Sequence, residues 1–254
     1  MKRILLILFV LTFLAASFSQ AEGFQIINHR KGLENLRATD KASGKLLWQS
    51  KNLTEKIQHQ GKTFLYIKEE GTGSYGGEDK SWLSEAFYVY EKGKTTPYQT
   101  SLVFKDRNGK TIQTIKKWYD PEEKRAYCRM NGKEKSYEFK QDLVDKELLG
   151  TALQNYPFEE KRDFIFHLLT NEPTLYKITT KYRGRETITV DGREVECHKL
   201  EIIPDLGLLN IFGAFVPKTY FWYEISAPHD FVRYEGLESG LGTPYIVIDS
   251  LPGK

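Results

Sequence analysis

Apolar and polar residues alternate along most of this chain with a period of two. In Thr187-Ile188-Thr189-Val190 and Lys199-Leu200-Glu201-Ile202 every second residue is apolar. That is the pattern of a strand with one covered face. Ser101–Asp106 and Lys110–Tyr119 flank Asn108-Gly109. Arg125–Arg129 and Lys133–Phe139 flank Asn131-Gly132, and Arg185–Val190 and Arg193–Ile203 flank Asp191-Gly192. Asn-Gly and Asp-Gly supply the two positive φ angles of a type I′ turn, whose twist suits a hairpin. Three such hairpins predict an antiparallel meander. Asp120-Pro121 marks a further turn. Lys218–Ile225, with aromatic residues on both faces, Phe231–Glu235 and Pro244–Leu251 predict a C-terminal set of strands.

One stretch departs from this period. Val144, Leu148, Ala152 and Tyr156 recur at every fourth position, with Leu149 and Leu153 beside them. This predicts a helix over 142–156, capped by Asp142 or Asp145 and stopped by Pro157. A strand is expected from Asp163, where Phe164, Phe166 and Leu168 alternate. In residues 22–93, Gly44, Gly61 and the cluster Gly71, Gly73, Gly76 and Gly77 divide the pattern into short pieces. The expected fold is mainly β: an antiparallel meander forming a curved sheet or open barrel, with one or two packing helices.

The N-terminus has a different pattern. Lys2 and Arg3 precede an apolar run from Ile4 to Phe18, and Ser19 and Ala21 place small residues at positions −3 and −1 before Glu22. This is a secretory signal peptide over 1–21. The run of about 15 residues is shorter than the roughly 20 needed to span a bilayer, and no stable membrane span is expected. No Cys follows the leader, so lipidation is not expected either. The mature chain is expected in the periplasm, cleaved after Ala21, as a single β-rich domain over 22–254.

Composition adds little beyond this. The chain has 254 residues with 37 basic and 34 acidic side chains; without Lys2 and Arg3 the balance is 35 against 34. The charges are interspersed, with no basic stripe to serve a nucleic acid. Fifteen Tyr and fifteen Phe favour half-buried pleated surfaces.

Candidate chemistry is sparse. Cys128 and Cys197 stand in expected strands of an exported protein. They either pair, closing a ~70-residue loop for roughly 4 kcal/mol, or serve as small buried hydrophobes. There is no Cys-x-x-Cys. None of His29, His59, His167, His198 and His229 lies three to five residues from another, the spacing of a compact metal site, so neither metal nor cofactor is expected. Glu69–Gly77 looks like a phosphate loop but lacks the Gly-Lys-Ser/Thr ending and a following helix, which leaves a loop or bulge between strands. Asn52-Leu53-Thr54 matches a glycosylation sequon, with meaning only in a eukaryotic secretory path.

The uncharged stretch 206–217 lies between two strong strands. Leu206, Leu208, Leu209, Ile211, Phe212 and Phe215, with Trp222, are the candidate residues for an apolar ligand. The alternative is a loop folded over the open end of the sheet.

The second half, roughly 140–251, resembles a family of bacterial exported proteins, domain-of-unknown-function family 3108. The resemblance lies in the order of features: a helix ending at Tyr156-Pro157-Phe158, Tyr176–Tyr182 leading into Gly184–Val190, then Asp191–Leu200 with Cys197-His198, then Tyr220-Phe221-Trp222-Tyr223 before Ala227-Pro228-His229-Asp230 and Phe231–Gly236. The apolar stretch 206–217 departs from it. The resemblance implies a curved sheet or open barrel partly closed by helices, similar to periplasmic lipoprotein carriers. It supplies no active site. The functional expectation is a non-enzymatic periplasmic protein that binds a lipid or other amphipathic envelope ligand. A structural or interaction module of an envelope or polysaccharide assembly is the alternative, and a hydrolase the third. No protein partner is identified.

Overall fold

The computed structural model describes Ile26, His29 and residues 32–59, 61–120, 122–207, 217–240 and 242–251. The first eight strands form one meander: β1 (Gly32–Asp40), β2 (Leu46–His59), β3 (Lys62–Tyr75), β4 (Glu78–Glu91), β5 (Lys94–Lys105), β6 (Thr111–Asp120), β7 (Arg125–Met130) and β8 (Lys133–Glu138). After β9 (Leu143–Asp145) come a single 3-10 turn (Lys146–Leu148) and a short helix, α1 (Leu149–Gln154). The second meander is β10 (Phe164–Leu169), β11 (Leu175–Val190), β12 (Arg193–Pro204), β13 (Thr219–Glu224), β14 (Phe231–Leu237) and β15 (Tyr245–Leu251).

All fifteen strands belong to one sheet, in the order β8 to β1, then β15 to β9. The two meanders join in the middle, where Asn35–Asp40 of β1 run antiparallel to Ile246–Leu251 of β15. β9 pairs in parallel with β10. The two end strands, β8 and β9, are neighbours in sequence. Fifteen strands laid flat would separate them by about 67 Å, at ~4.8 Å per strand. The link from Glu138 to Leu143 reaches at most about 17 Å. The sheet must therefore curl until its ends approach. They meet without pairing as strands: the Tyr137 hydroxyl donates to the Pro173 carbonyl, and Tyr119, Ala126, Leu143 and Leu169 pack across the seam. The result is a curved, open sheet.

The inside of the curve is filled. Leu65, Ile67, Ala86 and Tyr88 from β3 and β4 face Phe166, Ile178, Leu200, Phe221 and Tyr223 from the other meander. Val144, Leu148, Ala152 and Leu153 lie between them. A second inner cluster gathers Trp48, Trp82, Phe104, Ile115 and Ile246.

Several expectations change. The predicted helix over 142–156 shrinks to α1. Its first turn is strand, because Leu143–Asp145 bond to β10, and Asp145 caps the 3-10 turn by accepting from the Leu148 N–H. The apolar stripe is nonetheless buried throughout. The described part of 22–93 is not divided into short pieces: β2, β3 and β4 each run 14 residues. The expected loop at 69–77 is the end of β3 and its turn into β4. Gly71 and Gly73 sit within that strand because other groups press on it. A Cβ at Gly71 would lie 2.0 Å from the Trp82 ring, and one at Gly73 would lie 2.4 Å from the Leu47 carbonyl oxygen. Asn131-Gly132 and Asp191-Gly192 have the paired positive φ angles of type I′ turns. Asn108-Gly109 does not: Gly109 alone is positive. There the Asp106 carboxylate accepts from the Asn108 and Lys110 N–H groups and shapes a longer turn.

Candidate functional site

Of the residues expected to hold an apolar ligand, Leu206 and Trp222 lie among the described residues. Leu206 follows β12, half-buried. Leu208, Leu209, Ile211, Phe212 and Phe215 lie outside the described residues. Trp222 is buried on the outer face of the sheet, opposite its neighbours Phe221 and Tyr223, which point into the core. There it packs with Val190, Cys197 and Val232, and its indole N–H donates to Glu186. Cys128 and Cys197 are both free and buried. They belong to separate apolar clusters, so the buried-hydrophobe alternative describes them.

Charge is gathered inside the curve, where the sequence reading placed none. Asp145 has no exposed surface. Its carboxylate accepts from the Tyr88 hydroxyl, the Thr100 hydroxyl at 2.6 Å, the Tyr119 hydroxyl at 3.3 Å and the Leu148 N–H at 3.2 Å. Lys117, equally buried, donates to Glu147 at 2.8 Å. Burial raises the Asp145 pKa, against the pull of Lys117. Burial acts upward on Glu147 most strongly, but the charge and hydrogen bond of Lys117, with hydrogen bonds from Asn171 and the backbone, together hold that carboxyl low. Burial and Asp145 together raise Tyr88 and Tyr119 far up, so both remain hydroxyl donors. Every strong acceptor here already has its donors. The cluster anchors the 3-10 turn and α1 to β4, β5 and β6. One signal of it stands in the sequence: Lys117 occupies the inward position between Ile115 and Tyr119.

The motifs that carry the family resemblance converge in space. Phe158 stacks on His198 at 4.2 Å between centroids and meets His229 at 4.7 Å. The two imidazoles are 5.5 Å apart. The Tyr182 hydroxyl and His198 Nδ1 are 3.2 Å apart. Gln154 of α1 donates to the Pro228 carbonyl at 2.8 Å, and the Tyr223 hydroxyl donates to the Gly150 carbonyl at 2.9 Å. Burial, then His229 and Arg185, push the His198 pKa down to about 4. The neutral imidazole packs within this aromatic stack. The junction fixes α1 and the following segment against β11, β12 and the β13–β14 turn.

On the outer face, strand register aligns residues from distant parts of the chain. Tyr66 of β3 pairs with Phe87 of β4, Phe87 with Gln99 of β5, Gln99 with Trp118 of β6, and Trp118 with Tyr127 of β7. The four rings are half-buried and Gln99 is exposed. Ring centroids are 4.9 Å apart for Tyr66–Phe87 and 5.1 Å for Trp118–Tyr127, the latter pair nearly parallel. An open hollow of about 260 Å³ lies beside Gln99, Lys116, Trp118 and Arg129. A second, of about 550 Å³, lies further along β6 beside Thr111–Thr114 and the Asn131-Gly132 turn.

Among the described residues no group of three or more His, Cys, Asp or Glu side chains is placed to hold a metal ion. Among them, too, no helix is long and apolar enough to cross a membrane. No curated protein matches the chain. Among solved structures, a β-barrel-like protein of family DUF1849 from Brucella abortus is similar at 9% identity and a TM-score of 0.48, over 86% of this chain and 94% of that one. The hypothetical lipoprotein YmcC from Escherichia coli is similar at 9% identity and a TM-score of 0.32, over 89% and 92%. The model of the family described as protein of unknown function (DUF3108) matches residues 80–243, well over half of the chain. The chain belongs to the DUF3108 family.

Proposed function

We propose that this chain is exported and works outside the cytoplasm as a non-catalytic protein that binds an amphipathic envelope ligand on its curved sheet. The supporting observation is the row of half-buried rings, Tyr66, Phe87, Trp118 and Tyr127, on the outer face of a sheet whose interior is filled. An apolar cargo inside the curve would have to displace α1 and break the hydrogen bonds that Asp145 accepts from Tyr88, Thr100 and Tyr119. Losing them would leave a buried acceptor unsatisfied. Recognition therefore falls to the outer face, where half-exposed rings stand among polar groups. Export rests on the leader, Lys2-Arg3 followed by Ile4–Phe18.

Fractionation and native mass spectrometry test this reading together. The expected mature N-terminus is Glu22, with a non-covalent adduct that mild denaturation releases. A chain retained in the cytoplasm with its leader intact would overturn export. Turnover of ester, phosphate or glycoside reporters that is abolished by His198→Ala would overturn the non-catalytic assignment. A second reading, an interaction module within an envelope assembly, is favoured by the exposed apolar side chains Leu33, Leu46 and Tyr98. Its mark is a stable complex with another protein after gentle lysis.

A further inference from the structure

We infer that the row Tyr66–Phe87–Gln99–Trp118–Tyr127 is a binding strip for an extended acidic polysaccharide. This rests on the reading above, that the outer face does the binding, and names the ligand class and the site. The five positions are consecutive across β3 to β7. At ~4.8 Å per strand the row is about 19 Å long, room for a few sugar rings laid across the strands. Strand spacing is also close to the repeat of an extended pyranose chain.

The chemistry fits a sugar better than a lipid or a protein core. A pyranose has a C–H face that packs on aromatic carbon and a rim of hydroxyls that needs hydrogen-bonding partners. The strip offers the carbon of two ring pairs, with the exposed Gln99 amide between them; in the second pair Trp118 stacks on Tyr127 and the Arg129 guanidinium lies 5.2 Å from the Trp118 centroid, so only what these leave open can meet a sugar. Cross-strand ring pairs alone would stabilise any sheet. What goes beyond that role is the open hollow at Trp118, lined also by Gln99, Lys116, Lys117 and Arg129. Arg129 is shared with Glu134, at 3.1 and 2.6 Å. Lys116 is exposed and has no ion-pair partner among the described residues. An unpaired lysine on a hollow that is also lined by an indole and an amide side chain is complementary to a sugar carboxylate. The bordering row, Lys68, Glu85, Ser101, Lys116, Arg129 and Glu134, is too charged for acyl chains to cover.

The test is affinity electrophoresis of the mature protein through gels containing alginate, a polyuronate, or dextran, a neutral glucan, with sedimentation on phosphatidylglycerol vesicles as a third arm. Alginate is expected to retard the protein, less so as salt rises, with weaker retardation by dextran and no sedimentation with vesicles. Trp118→Ala and Lys116→Glu, each with an unchanged circular dichroism spectrum, are expected to weaken alginate binding about tenfold or more. Lys181→Glu, on β11 far from the row, is the control and should bind as the parent does. Absence of alginate binding, alginate binding indifferent to both row variants, or vesicle binding in its place would each overturn the strip. An adduct in native mass spectrometry that survives in the Trp118→Ala/Lys116→Glu double variant would sink the strip but leave the binding function standing. Loss of any adduct in the parent protein itself would remove both.

Discussion

Lys117 has no exposed surface, and its strand neighbours Ile115 and Tyr119 are core residues. A lone ammonium there would be prohibitively costly to bury, so its pairing with Glu147 at 2.8 Å is obligatory. Lys117→Met leaves the Glu147 carboxylate without its partner and should destabilise the fold by about 3–5 kcal/mol, whereas Lys117→Met with Glu147→Leu should recover most of that loss. Urea unfolding of the two singles and the double reads the coupling directly. Additive losses would mean the pair does not act as a unit. His198 offers a test with a pH sign. Its folded pKa, about 4, lies below the ordinary 6.5, so the fold favours the neutral ring. The associated stability is fully present above pH 6.5 and is lost as pH falls towards 4. His198→Phe keeps an aromatic ring against Phe158 and removes the titration. The loss of stability between pH 7 and pH 4.5 should therefore shrink by about 2–3 kcal/mol in the variant. Equal losses in both proteins would show that His198 does not carry the acid sensitivity.

At the level of elements, α1 is too short to stand alone; isolated helices below about 12 residues are marginal. It persists because Leu153 and Ala152 are fully buried between the two meanders and Gln154 and Gly150 bond to the C-terminal strands. Leu153→Ala should cost about 2–5 kcal/mol by opening a cavity in the main cluster, measurable as a lowered urea midpoint. A loss under about 1 kcal/mol would mean the helix is an appendage. This element also shows where sequence reasoning holds and where it stops. The four-residue recurrence of Val144, Leu148, Ala152 and Tyr156 correctly marks a buried stripe. It cannot say that Val144 is buried as strand and Ala152 as helix, because both geometries bury those positions; the parallel bond to β10 decides. The hairpins at Asn131-Gly132 and Asp191-Gly192 are legible because their turn chemistry is local. The glycines of 69–77 mislead because their cause, the Trp82 ring and the Leu47 carbonyl, lies on other strands. The aromatic row is invisible for the same reason. Tyr66, Phe87, Trp118 and Tyr127 share no period in the chain, and only register aligns them.

The whole molecule is held by the least local of its contacts. β1 and β15 pair in the middle of the sheet although they open and close the described strands. The main core draws Leu65, Ile67, Ala86 and Tyr88 from the first meander and Phe166, Ile178, Leu200 and Phe221 from the second. Neither meander can cover its inner face without the other, and the first also lacks the carboxylates that partner Lys117, Tyr88 and Tyr119. Left alone, 32–138 would expose a buried lysine and two unpaired phenols with the apolar face around them. The 143–251 piece would expose α1 and an unsatisfied Asp145. The chain should therefore unfold as one cooperative unit, and separation at the 139–142 link should abolish folding of both pieces. The pieces expressed separately are expected to bind ANS and to show no cooperative urea transition. Mixed or co-expressed, they are expected to associate and to regain a single transition seen alike by tryptophan fluorescence and circular dichroism. A cooperative transition in either piece alone would show two independent domains and break the link between the curl of the sheet and its stability.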